Sequence, residues 1–160
     1  MKIIKADAIS FKQYYSHLDQ GILLESYFKK NGGLDTMIKE SRNLLLFLDS
    51  GAYSAWSQNI EINIDEYIKF IKDNHECISQ YAVLDVIGDA QGTLNNQRYM
   101  EAEGLNPIPC FHYGEDEMYL REYLKQHNYI ALGGMVKRPK KQLEYWLDEI
   151  WGRYLTNKDG

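Results

Sequence analysis

Cysteine is scarce in this chain: Cys77 and Cys110 are the only two in 160 residues, and their spacing is not that of a metal-binding pair. A disulfide framework is therefore not expected, and a reducing compartment, the cytoplasm, is the simplest home. Positive charge is also short, with 18 Lys+Arg against 23 Asp+Glu and a net charge of −5. That argues against a broad basic face for nucleic acid, though one local basic patch remains open. No apolar stretch approaches the ~20 residues that cross a bilayer, and residues 1–7 lack the apolar core of a signal peptide. A soluble protein without a membrane partner is expected. No glycine fingerprint of the dinucleotide type follows an early strand, which weighs against a Rossmann cofactor. No cofactor and no metal are expected.

What is present is apolar and aromatic: 44% of residues are hydrophobic and 13 are tyrosines. That content suits one domain over residues 1–160, with rings able to line a cleft as well as fill a core. The run at residues 44–48 is continuously apolar and stops at Asp49-Ser50-Gly51-Ala52-Tyr53. Such a run reads as a strand buried on both faces, as in a parallel sheet. Further strands are expected at residues 80–87, 107–112 and 129–132, with a weak one within 1–10. Helices are expected at residues 11–30, 34–41, 93–103 and 115–126. Another should follow Asn63 or Asp65 as cap, with Tyr67, Ile68 and Ile71 inward. A last one should carry Leu143, Tyr145, Trp146, Leu147, Ile150 and Trp151. Asn31-Gly32-Gly33 and Gly104 read as stops.

Strand–helix alternation predicts an α/β protein with a parallel sheet. An open doubly wound sheet and a (β/α) barrel both fit the rhythm. Polar residues close nearly every strand, which favours a barrel mouth. A complete barrel needs typically ~250 residues, so the expectation is a partial (β/α) TIM-barrel-like sheet of about four to five βα units. A partial barrel leaves edge strands that invite pairing. A homodimer, or a complementing C-terminal segment, is the expected remedy.

The strand ends hold the candidate chemistry. Asp49, Asp85 and Asp89 are carboxylates able to move protons or accept N–H groups. Asp89 reads as a helix cap, and Asp49 could be one as well. Asp85 differs, because Val86 and Ile87 continue the apolar run past it, and a buried carboxylate needs a partner or a ligand. His112 reads equally as a structural histidine or a pocket donor. Gly133-Gly134 either turns the chain or lets a flat ligand approach the backbone. Tyr53 and Trp56 could wall such a ligand, whereas Cys110 reads as a packed thiol. Lys137-Arg138-Pro139-Lys140-Lys141 opposes the dipole of the helix it precedes. It is either a solvated run or a phosphate contact through Lys137 and Arg138.

In their order along the chain, Asp49-Ser50-Gly51-Ala52-Tyr53, the Asp85 strand, Phe111-His112-Tyr113-Gly114 and Ala131-Leu132-Gly133-Gly134-Met135 resemble the motifs of tRNA-guanine transglycosylases. The similarity spans residues 44–136 and is greatest to short, phage-encoded relatives, including the DNA-deazapurine type. The resemblance implies a TIM-barrel transferase that exchanges guanine in tRNA or DNA for a 7-deazaguanine base. It implies Asp49 as acid/base carboxylate and Asp85 on the Watson–Crick edge of the base. Ser50, Gly51, Tyr53, His112, Gly133 and Gly134 would complete the base site. Ala52 and Tyr53 depart mildly from the family's glycine and phenylalanine. His112 replaces the usual glutamine and changes the donor pattern. The family's nucleophilic aspartate and cysteine-rich zinc segment would lie beyond residue 160. Two other readings stand beside this one: a non-catalytic nucleobase or nucleic-acid binding module, and an unrelated hydrolase pairing Asp49 with Asp85.

Overall fold

The structure, a computed structural model, describes residues 4–5, 21–28 and 44–155. Six parallel strands run in sequence order: β1 (Ile4–Lys5), β2 (Gly21–Ser26), β3 (Leu44–Asp49), β4 (Ile78–Tyr81), β5 (Cys110–His112) and β6 (Ala131–Gly133). β1 to β4 form one sheet in that order and β5–β6 a second. A parallel bridge between Ala82 and Ile108 links them, with Ile108 N–H donating to Tyr81 O at 2.8 Å and Val83 N–H to Ile108 O at 3.0 Å. Strand order never reverses among the described strands, so they contain no switch point of the doubly wound kind.

Among the described residues five helices follow β3 to β6, two after β3 and one after each later strand: α1 (Ala52–Trp56), α2 (Ile64–Asp73), α3 (Ala90–Ala102), α4 (Glu117–Gln126) and α5 (Lys140–Ile150). A π-helical turn, Trp151–Leu155, ends the described chain. The caps follow the side chains available. Asn63 Oδ1 accepts from the N–H groups of Asp65 and Glu66 at 2.9 and 3.1 Å. Asp89 and Asp116 do the same for Gly92 and Met118. Asp89 is thus the cap its position predicts, and Gly104, at φ 82, follows the end of α3.

Packing divides by strand parity. Leu46 and Leu48 lie in a core cluster with Tyr67, Ile68 and Ile71 of α2, while Phe47 between them packs with Ala82 and Ile108. On β5, Phe111 turns into a cluster with Leu120, Tyr123 and Ile150. Its neighbours Cys110 and His112, two apart on an extended chain, share the opposite face.

Several expectations are corrected. Ile22 and Leu23 belong to strand β2, not to a helix over residues 11–30, because β2 is hydrogen-bonded on both sides, to β1 and β3. Residues 11–20 and the helix expected at 34–41 lie outside the described residues. The strand expected over 80–87 is paired only as far as Val83. Beyond it, Asn96 Nδ2 donates to Leu84 O at 2.8 Å and Val86 N–H to Thr93 Oγ1 at 2.9 Å, so α3 side chains take the bonds a neighbouring strand would need. Met118 is exposed: two residues from inward-facing Leu120, it falls about 200° round the helix. Tyr145 is exposed because its neighbour Trp146 takes the inward place, with its ring 6.2 Å from that of Phe111. Trp151 is exposed where the π-turn breaks the 3.6-residue pattern.

Among the described residues, β1 pairs only with β2 and β6 only with β5. Each strand keeps one unpaired edge, a template for another chain. We therefore expect residues 1–160 to self-associate or to fold poorly in isolation. Sedimentation velocity checks this, and a folded, well-behaved monomer across the concentration range would contradict it. No helix among the described residues is long and apolar enough to cross a membrane.

Candidate functional site

The carboxyl ends of four successive parallel strands, β3 to β6, carry most of the residues singled out from the sequence. Asp49 is the last residue of β3. One of its carboxylate oxygens accepts the Gly51 N–H at 2.9 Å, and buried Ser50 Oγ accepts from Ala52 N–H at 3.4 Å. Gly51 is needed where it stands. Its φ is 74, and a Cβ there would come within 2.5 Å of Phe28 Cβ and also press on Ser26 Oγ. The tight turn starts α1, which carries Tyr53 and Trp56 outward, their rings 5.8 Å apart.

Asp85 lies beyond the paired part of β4 rather than inside a strand, yet it is mostly buried and has found a partner. His112 Nε2 stands 3.5 Å from Asp85 Oδ2, with the two side chains 16% and 15% exposed. His112 Nδ1–H donates to Glu115 Oε1 at 3.0 Å, and its backbone N–H donates to Glu115 Oε2 at 2.9 Å. Cys110 Sγ is 3.5 Å from the same Nε2. Burial pulls the imidazole pKa down, but hydrogen bonds to Asp85, Cys110 and Glu115 outweigh it, and the pKa is pushed up to about 12. The ring is therefore held as imidazolium between two carboxylates. Burial pushes the Cys110 thiol pKa up, against a weaker lowering by the His112 hydrogen bond. The other Asp85 oxygen, Oδ1, is buried with no hydrogen-bond partner among the described residues.

Gly133 closes this cluster from β6. A Cβ on it would meet His112 Cδ2 at 2.7 Å and Cys110 Sγ at 2.8 Å, so the imidazole and thiol lie against its bare α-carbon. Gly134, at φ 71, packs on the His112–Tyr113 backbone, and Tyr113 N–H donates to Gly133 O at 3.0 Å.

Tyr67 lies within electrostatic reach of both Asp49 and Asp85. This fully buried tyrosine donates its hydroxyl to Ala82 O at 2.9 Å. Its pKa is driven well up, first by burial and then by the charges of Asp49 and Asp85. A cleft of about 660 Å³ opens beside Asp85, lined also by Trp56, Ile62, Leu84, Val86 and Asn96. Of the two aromatic residues singled out from the sequence, Trp56 lines it and Tyr53 does not, and Gly51 is absent from its lining as well. Asp49, Ser50, His112, Gly133 and Gly134 do not line it. A second cleft of about 460 Å³, between Phe111, Tyr113, Glu117, Tyr145 and Trp146, lies on the helix side of β5. Arg138 stacks its guanidinium 5.0 Å from the centre of the Tyr113 ring, and Lys137 takes φ 61. Neither lines either cleft.

Glu115 falls in the polar cluster that follows β5 in the sequence, but its pairing with His112, and the contact of Cys110 with the same ring, are not signalled by that cluster. The Cys-x-His spacing on a strand was the available signal, since alternate residues share a face. Asp85, Cys110 and His112 offer ligand atoms within 4.8 Å of one another, a set able to hold a metal ion.

Fold and site thus define a mixed α/β protein of short parallel strands, in two small sheets, with a charged cluster at the strands' carboxyl ends. No family model, curated protein or solved structure matches this chain.

Proposed function

We propose that the strand-end rim is a nucleobase site of transglycosylase type, carried on a partial (β/α) barrel. The observation that supports this reading is the placement of Asp49, Asp85, His112 and Gly133-Gly134 at the carboxyl ends of consecutive strands β3 to β6. Ligands of parallel α/β proteins bind at that end. In this reading the base enters beside Trp56 and presents N–H groups to Asp85, whose Oδ1 lacks a partner among the described residues. A guanine or 7-deazaguanine base has the required paired donors on its Watson–Crick edge. His112 fixes Asp85, and the turn at Gly51 fixes Asp49.

In the exchange, the N-glycosidic bond of a guanosine in tRNA or DNA breaks, and its C1′ passes to a nucleophilic carboxylate supplied from outside residues 1–160. Protonated Asp49 gives guanine the proton with which it leaves, on the nitrogen that held the sugar. The incoming base returns that proton to Asp49 as its nitrogen displaces the carboxylate from C1′, with a water relaying the proton because Asp49 does not line the cleft. Asp49 serves the proton steps only.

The binding-module reading also has an observation in its favour. Among the described residues the rim carboxylates are already engaged: Asp49 by Gly51 N–H, Asp85 and Glu115 by His112. The two readings separate when labelled 7-deazaguanine is mixed with guanine-containing tRNA or DNA. Incorporation that needs both this chain and the segment or partner carrying the nucleophile, and that disappears in Asp49→Ala, is the expected result. Base binding with no incorporation at any polynucleotide would instead make this chain a binding module.

A further inference from the structure

We propose that Cys110 Sγ, His112 Nε2 and a carboxylate oxygen of Asp85 form a three-ligand site for a divalent ion of zinc type, with Glu115 as the residue that orients the histidine. The inference does not rest on the nucleobase reading; it follows from the geometry and chemistry of the cluster itself.

Two of the three separations are those a small tetrahedral ion requires, and the third, between Cys110 Sγ and Asp85, closes as the ion enters. With bonds of about 2.0–2.2 Å to nitrogen or oxygen and about 2.3 Å to sulfur, neighbouring ligand atoms stand about 3.4–3.6 Å apart. The Cys110 Sγ–His112 Nε2 and His112 Nε2–Asp85 Oδ2 separations are both 3.5 Å, and all three ligand atoms lie within 4.8 Å of one another.

Three further features point the same way. Asp85 Oδ1 is buried without a hydrogen-bond partner among the described residues, which is costly unless something positive or hydrogen-bearing meets the carboxylate. Glu115 accepts from His112 Nδ1 at 3.0 Å and from the His112 backbone N–H at 2.9 Å. That fixes the ring with Nε2 directed at Cys110 and Asp85, the carboxylate–histidine arrangement that orients metal-binding imidazoles. Gly133 leaves the space open, because its missing Cβ would stand 2.8 Å from Cys110 Sγ and 3.0 Å from His112 Nε2.

Charge balance agrees. Binding releases the thiol proton and the Nε2 proton, and the ion's two positive charges take their place beside the carboxylate. The Nδ1 proton stays on the ring, donated to Glu115. One thiolate, one imidazole and one carboxylate select a borderline ion such as zinc over magnesium or calcium. Three protein ligands leave a fourth position for water or for a donor atom of a bound molecule. With the ion present Asp85 is a ligand, and without it a base-binding acceptor. The two roles are told apart by testing metal without base, and base in chelator-treated protein.

Cobalt(II) is the probe. Titrated into the full chain after chelator treatment, it should give a thiolate-to-cobalt charge-transfer band and tetrahedral visible bands, saturating at one equivalent. Zinc should displace both. Cys110→Ser and His112→Gln should abolish the charge-transfer band, with circular dichroism confirming that they fold, whereas Cys77→Ser should keep it. Gly133→Ala should weaken binding, and Glu115→Gln should lower affinity about 10–100-fold while keeping the band. Should the variants fail to fold, X-ray absorption of the zinc-loaded wild type decides, with one sulfur and otherwise nitrogen or oxygen neighbours expected. The absence of a charge-transfer band, its survival in Cys110→Ser, its loss in Cys77→Ser, or a sulfur-free zinc shell would overturn the proposal.

Discussion

His112→Ala in metal-free protein should cost about 3–5 kcal/mol of folding stability, the penalty typical of removing one partner from a buried ion pair. The imidazolium stands between Asp85 and Glu115, and all three side chains are only 15–16% exposed. Removing it leaves two carboxylates facing a small void with no cation between them. Urea denaturation checks this, with a lowered midpoint and an unchanged slope as the expected pattern. Adding Asp85→Asn and Glu115→Gln to His112→Ala should recover part of the loss, since neutral amides do not demand a cation. A single-variant loss below about 1 kcal/mol, the range of an exposed pair, would mean that the three groups do not act as a buried unit.

The second large effect is expected at Gly51. Alanine there takes on a left-handed backbone at about 1–2 kcal/mol and an overpacked Cβ at about 1–3 kcal/mol. The crowding is specific: Phe28 Cβ would lie 2.5 Å away and Phe28 N 3.1 Å away. Gly104→Ala is the matched control, because Gly104 has φ 82 but nothing within 4 Å of its would-be Cβ. It should lose only the backbone part. Equal losses at the two positions would show that the packing of β2 against the Asp49 turn contributes nothing. Gly51→Ala should also loosen the hydrogen bond that aims the Asp49 carboxylate, so its effect reaches the rim as well as the fold.

Much of this molecule is legible in the sequence wherever local chemistry decides the outcome. The apolar run of β3 ends at Asp49 as a buried parallel strand should. Asn63 caps α2, and Tyr67, Ile68 and Ile71 form its buried face. What was hidden depended on partners distant in sequence. Residues 21–24 are a short apolar run that periodicity cannot assign, and pairing to β1 and β3 makes them a strand. The sequence presents Asp85 as a carboxylate within an apolar run, where it needs a partner or a ligand, but nothing local names His112. The strand expected to contain it frays because Thr93 and Asn96, a helix away, capture its backbone. Cys110 is buried, as a thiol in an apolar run should be, and its contact with His112 follows from the parity of residues two apart on a strand. The basic run at residues 137–141 shows the limit of charge counting, since Arg138 is engaged with the Tyr113 ring and Lys140 with Glu144.

The carboxyl-end rim is tested most directly by titrating 7-deazaguanine and guanine calorimetrically into chelator-treated protein. Saturable one-site binding is expected, weakened about tenfold or more in Asp85→Asn, a change of at least about 1.4 kcal/mol, and unaltered in Lys137→Ala. No binding of either base by the folded protein, or equal affinity in wild type and a folded Asp85→Asn, would contradict the assignment of this rim to a nucleobase.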